Sequence, residues 1–586
     1  MNIIAKYALP LASILLMSVF FLSLPDLSRC ALPDSDRQRR RLTRCDALIM
    51  AVITLCYAAV AFYKLGNTSS PETFLIMEDR TEEIALEDDT PVSVIRMFTG
   101  VGVGSYELEY SADGMEYSLV GSLQQDASAV LTWKYVYLPS PVTGGYIRIT
   151  GRGNVWLGEV VCVDGEGRVA RASSPRLALC DEQELSPDMQ DYMNSSYFDE
   201  VYHARTAWEH LNGVSPYEIT HPPLGKVIIS AGIAIFGMTP FGWRFSGTLF
   251  GALMLPLMYV FLKKLFGGKT VPAAGTLVFA FDFMHFVQTR IATIDTYAVF
   301  FILLMYLFMY LFITEGRLRY LALSGIFFGF GAASKWTCLY AGAGLAIIWS
   351  FWVVDMCKNN LLTVKGFLKN AGFCTLFFVL IPAIIYCLSY YPYAVARGGI
   401  PIFRGDYFRM VLDNQEYMLN YHSSIVAEHP YSSKWYQWIL NIRPILYYLT
   451  YLPDGMRSSF GAFVNPFLCW GGFISLFPVA YMAVARNDRR ALFIVWGYLA
   501  QLIPWIFITR LTFEYHYFPC TIFLVLSLSY CFELIKVNVR HWRTLVYGYA
   551  ILTAACFVLF YPALSGKIVD NALATRLLGW LPTWPF

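Results

Sequence analysis

Residues 198–226 read FDEVYHARTAWEHLNGVSPYEITHPPLGK and concentrate groups that move protons and hold anions. Asp199 and Glu200 are adjacent carboxylates, and a carboxylate within reach of a hydroxyl is a natural general base. Taken as a helix, 198–211 lines up Phe198, Val201, Ala204, Trp208 and Leu211 on one stripe. Asp199, His203, Thr206 and His210 then share a second face. Such a split suits a helix lying along a membrane surface with its polar side turned to water. An amphipathic linker with solvated charges would show the same pattern. In HPPLGK, Pro222 and Pro223 suit the first turn of a following helix. His221 and Lys226 bracket that helix start, whose N–H groups and dipole favour an anion such as phosphate. Asp199, His203 and His221 could meet at a metal, but their spacing matches no recognised ligand pattern, so no metal is expected.

Further charges fall at the edges of apolar runs, where they are costly and therefore functional candidates. They are Arg244 in FGWRFSG, Arg290 and Asp295 in QTRIATIDTY, Lys335 in ASKWT, His429 and Lys434 in EHPYSSKWYQW, Arg443 in NIRPILYY, and Arg510 and His516 in TRLTFEYHYFP. Any one alone reads as a salt bridge or a snorkelling side chain. Together, an acidic pair and an excess of cations suit a reaction on an anionic, lipid-linked substrate.

The elements that must position these groups are mostly membrane helices. The 586 residues are 56% hydrophobic and 15% charged, against about 25% charged in a soluble domain. Spanning segments are predicted near 4–24, 46–64, 243–263, 271–289, 293–313, 320–334, 337–356, 368–389, 464–484, 491–508, 517–536 and 543–562, with a shorter apolar segment at 224–239. The first has no basic flank ahead of it, which argues for a retained helix over a cleaved signal. Loops 25–45, 263–270, 314–319, 356–369, 485–490 and 535–543 hold 20 of the 44 Lys and Arg. Alternating spans put all six on one side, which is then cytoplasmic. Residues 65–242, 390–463 and 509–516 face outward.

Between 73 and 179 the texture changes to alternating apolar and polar residues with Asp-Gly and Gly-Gly turns, the pattern of antiparallel strands in a sandwich. YSADGMEYSLV, WKYVYLP and YIRIT resemble a discoidin-like, galactose-binding-like jelly roll. That likeness implies a carbohydrate ligand; a purely structural insert is the equal alternative. Of the thirteen cysteines most lie in apolar runs as small hydrophobes, while Cys162 and Cys180 face outward as a candidate disulfide.

The order FDEVYHA, HPPLGK, FGWR, TRIATID, SKW, HPYSSKWYQW, RPILYY, NPF and YHYFP resembles the protein O-mannosyltransferase family over about residues 190–530. The resemblance implies a polytopic α-helical membrane protein of the GT-C fold with about twelve transmembrane helices and an inserted extracytoplasmic β-sandwich. It implies a bacterial plasma-membrane enzyme with its active site outside, moving a sugar, mannose first, from a polyprenyl phosphate to a Ser/Thr hydroxyl of a protein, with inversion. Asp199 takes the family's catalytic position with Glu200 as partner. His221, Lys226, Arg244, Arg443, Arg510 and His516 are expected at the donor phosphate, and His203, Arg290, Asp295, Lys335, His429 and Lys434 in support. No cofactor is expected: the lipid-linked sugar is a substrate, and a phosphate leaving group stabilised by Arg and His can dispense with a divalent metal. The expected partners are that donor, a protein or glycan acceptor and membrane lipids, without nucleic acid. A lipid or cell-wall polymer acceptor, as in the aminoarabinose transferases, and a non-enzymatic transporter or glycan sensor are the rival classes. The expected divisions are 1–45 (an additional helix and basic loop), 46–66 (first family helix), 67–180 (sandwich), 181–242 (catalytic outer loop) and 243–586 (transmembrane core with outer loop 390–463). Where relatives carry KWWEWP, this chain has Lys434-Trp435-Tyr436-Gln437-Trp438.

Overall fold

A computed structural model describes residues 3–28, 39–127, 129–175, 179–424 and 428–586. Part of the first basic loop, 29–38, lies outside the described residues. The chain forms two compact units, one of Met1–Tyr63, Ile219–Val227 and Gly247–Phe586, the other of Lys64–Glu218 and Ile228–Ser246.

The first unit is helical. Each of the twelve predicted spans falls on one or two helices. Among the described residues, eight helical stretches are long and apolar enough to cross a bilayer, or nine if a bent pair counts as one span. That pair, Thr270–Ala280 and Phe283–Thr289, turns by 57° where the Asp282 side chain accepts the N–H of His285 and starts the second helix. Ala8–Leu22 and Leu318–Ser334 are shorter apolar helices. This is the architecture of an integral, multi-pass membrane protein.

The stretch 390–463, expected as outer loop, contains a helix, Gly405–Ser424. It buries Tyr407, Met410, Val411, Asn414 and Met418, a three–four spacing that places one stripe against Tyr390, Tyr393 and Ala394. Strands Ile445–Tyr451 and Met456–Ala462 follow as an antiparallel hairpin, with Val569–Asp570 added at its edge.

In the second unit, Leu75–Ile76, Thr81–Leu86, Val92–Ser111, Ser118–Gln125, Thr132–Val142, Tyr146–Val163 and Ala172–Ser173 form one seven-stranded antiparallel sheet. Two separate sheets were the expectation. The difference arises because two strands are long enough to serve both layers. Val92–Ser111 pairs Thr132–Val142 along its first half and Ser118–Gln125 along its second, and Tyr146–Val163 along both. Register shifts at Phe98, Thr99 and Gly102 bend it between the halves. At Gly102 (φ 109°) any Cβ would sit 1.7 Å from the Asn154 carbonyl oxygen, so only glycine makes this corner. Alternating side chains, among them Ile84, Ile95, Met97, Tyr106, Leu108, Ile147, Ile149 and Val155, fill the core. Cys162 and Cys180 both pack at this core, and both are free thiols.

Candidate active site

The FDEVYHA stretch lies in the sheet-bearing unit. The helix runs Glu200–Leu211 with Asp199 at its N-cap position. It is preceded by Phe198 at φ 50°, a backbone state that costs a side-chain-bearing residue about 1–3 kcal/mol. Glu200 is fully buried, while Asp199 is half-buried and makes no capping bond to the helix.

Glu200 faces Arg244. Arg244 Nε donates to Glu200 Oε1 at 2.8 Å and Nη2 to Oε2 at 2.7 Å. The remaining guanidinium hydrogens go to the carbonyls of Leu65, Tyr192 and Ser195. A guanidinium has five N–H donors, and these five bonds engage them all. Arg244 was expected at the donor phosphate; the structure instead makes it the anchor of the acidic loop, and Glu200 its counter-charge.

The helix face also differs from expectation. His203, Arg205, Thr206 and Glu209 are buried, and Leu211 is exposed. Glu209 accepts from Arg205 Nε (2.8 Å), Thr206 Oγ1 (3.1 Å) and the Tyr217 N–H (2.7 Å). Thr206 Oγ1 also accepts the Glu218 N–H at 3.0 Å, and His203 Nδ1 lies 3.9 Å from Glu218. Residues 212–218 thus fold back over the supposed water-facing side, and the polar groups are buried because they bond one another. Burial raises the Glu209 carboxyl above its ordinary range despite the opposing Arg205 charge.

The helical unit gathers the cations. The helix predicted after Pro222-Pro223 begins at Leu224. Lys226 is fully buried, its ammonium 3.1 Å from the His221 carbonyl oxygen. The His221 ring meets the His422 ring edge-on at 5.1 Å. Thr220 joins both: its hydroxyl is 3.0 Å from His221 Nδ1, and its carbonyl oxygen 2.8 Å from His422 Nε2. Burial, then the charges of His221 and Arg510, pull His422 down to about 4. Lys335 and Arg510 act electrostatically on both His422 and His516, so these groups form one cluster. Lys335 sits 2.8 Å from both oxygens of Asp295, over the Tyr515 ring. His516 packs against both Trp438 and Trp505.

The other expected residues serve as braces. Arg290 donates to the carbonyls of Ala61 and Tyr63, holding the end of the Arg44–Phe62 helix. His429 Nδ1 accepts the Tyr431 N–H, and its ring packs on Phe513. Arg443 donates to the Pro430 carbonyl, and Lys434 is exposed. The sequence reading missed His422 and Thr220. The signal for His422 was the buried stripe of helix Gly405–Ser424, which was read as loop.

Two family models match the chain: dolichyl-phosphate-mannose-protein mannosyltransferase over residues 220–386 and the C-terminal four-transmembrane region of protein O-mannosyltransferase over 407–584. The chain is 26% identical over 459 residues to the polyprenol-phosphate-mannose–protein mannosyltransferase of Mycolicibacterium smegmatis, spanning 66% of this chain and 87% of that one. The Corynebacterium glutamicum protein of the same name is 23% identical over 472 residues, covering 66% and 88%. Among solved structures, the S. cerevisiae protein O-mannosyltransferase Pmt1–Pmt2 complex bound to the sugar donor superposes with a TM-score of 0.58 at 14% identity, covering 67% of this chain and 90% of that one. The helical fold is therefore shared.

Proposed function

Because this chain belongs to the protein O-mannosyltransferase family, we propose that it transfers mannose from a polyprenyl phosphate to a Ser or Thr hydroxyl of a protein. Asp199 takes the proton of the acceptor hydroxyl as general base. The acceptor oxygen attacks the anomeric carbon, the bond from that carbon to the phosphate oxygen breaks, and polyprenyl phosphate leaves with inversion. Negative charge grows on the phosphate in this step, and fixed positive groups lower its energy. Arg510, His221, His516 and Lys335 are the groups we assign to it, with Arg443 and Lys226 behind them. His422 holds Thr220, and through it the His221 ring. Glu200 acts by fixing the helix that carries Asp199.

The observation that carries this reading is the cluster of Lys335, Arg510, His221, His422 and His516, which lies wholly within the residues the family models match. The 20 basic residues in the opposite loops support an active site on the outer face, in a bacterium the outer side of the plasma membrane. Carbohydrate at the sheet domain belongs to the same reading, with exposed Tyr137 as a stacking surface.

The acceptor is tested by giving the purified protein labelled polyprenyl-phosphate mannose together with a Ser/Thr-rich peptide and a membrane lipid and polymer fraction. Label in the peptide is the expected result. Label only in the lipid or polymer fraction would reassign the acceptor while keeping the chemistry.

A further inference from the structure

Apart from the groups assigned to transfer, the sheet domain holds a carboxylate in an unusual setting. Glu159, in strand Tyr146–Val163, is fully buried. Its Oε2 accepts the Glu182 N–H at 3.0 Å, whereas Oε1 is buried with no hydrogen-bond partner. One oxygen each from Glu159, Asp181 and Glu182 lies within 4.8 Å of the others. Glu182 in turn accepts the Glu72 N–H at 3.1 Å. Burying a carboxylate with an unfilled oxygen is costly, and two like charges beside it add to the cost. No cation of the protein is ion-paired to the three among the described residues. Something positive must compensate them when they are ionised.

We propose that Glu159, Asp181 and Glu182 bind a hard divalent cation of the Ca2+ class, which ties the last long strand of the sheet to the segment leading to Asp199. The ligand chemistry is oxygen only, with neither Cys nor His in the trio, which favours Ca2+ over Zn2+. Ca2+ takes its oxygens at about 2.3–2.6 Å, so two oxygens sharing one ion stand at most about 5 Å apart, as these do. The cation would hold Glu182, and through its bond to the Glu72 N–H the start of the domain, to the strand that carries Glu159. Substitutions there act on the stability of the acidic loop rather than on the phosphate cluster.

The full-length protein in detergent, stripped with EDTA, is titrated with Ca2+ alone and followed by calorimetry and thermal unfolding. One ion per chain and a raised unfolding temperature are expected. Asp181 is exposed, so Asp181→Asn leaves the fold intact. It should weaken Ca2+ binding about tenfold or more while the metal-free protein is as stable as wild type or more so, because a repulsive charge has gone. Glu159→Gln should abolish the Ca2+ response. No Ca2+ heat and no stabilisation would overturn the proposal. So would a response that survives both substitutions, or Zn2+ displacing Ca2+ at equal concentration.

Discussion

In the loop that carries FDEVYHA, each buried charge has its counter-charge close by: Glu200 has Arg244, Glu209 has Arg205, and His203 stands near Glu218. In the helical unit's cluster, Lys335 has Asp295, but Arg510 forms no ion pair among the described residues and bonds only the Leu511 carbonyl. His422 likewise bonds a carbonyl, that of Thr220. The first arrangement is self-compensated and so holds a shape. The second keeps positive charge in reserve, as a site for a dianionic or monoanionic phosphate must. The carboxylates teach the same lesson at shorter range, since of two neighbours in sequence Glu200 is consumed by architecture and Asp199 stands at the helix start.

This contrast can be broken at either end. Glu200→Gln leaves Arg244 buried without its carboxylate counter-charge and should destabilise the fold by about 3–5 kcal/mol, read as a lowered unfolding temperature. Pairing it with Arg244→Met should recover much of that loss, since no buried charge remains. Arg510→Gln should leave the unfolding temperature unchanged and lower kcat about 10²–10³-fold, the scale of losing one charge-stabilising donor. If it behaves like Glu200→Gln, the distinction between compensated and reserve charge fails.

His422 gives the smallest effect and the most specific one. Its folded-state value of about 4 lies below the ordinary 6.5, so between those values the unfolded chain binds more protons. Stability is therefore fully present above about pH 6.5 and declines as pH falls towards 4. The half-exposed ring limits the loss to about 1 kcal/mol after solvent screening. His422→Gln should flatten that slope in an unfolding series across the window.

Much of this was legible in sequence. Apolar runs of bilayer length mark the helices whatever their packing, and Gly144-Gly145, both at positive φ, mark the turn from Thr132–Val142 to Tyr146–Val163 because few other residues adopt that backbone. What periodicity could not tell is which polar groups find partners after folding. Thr206 and Glu209 look like a solvated face until residues 217 and 218 return to donate their N–H groups. Arg244 looks like a phosphate ligand until three carbonyls and a carboxylate claim it. Helix Gly405–Ser424 was hidden by its many polar residues, and His422 with it. The single sheet was hidden because strand length, unlike alternation, depends on where bulges fall.

The most direct measurement compares wild type with Asp199→Asn in transfer of labelled mannose from polyprenyl phosphate to a Ser/Thr peptide, with donor binding measured in parallel. Loss of the base should reduce kcat about 10²–10⁴-fold while donor affinity and the unfolding temperature stay unchanged, because the Asp199 side chain makes no capping bond to its helix and the Glu200–Arg244 anchor is kept. Equal kcat in the two proteins would contradict the account.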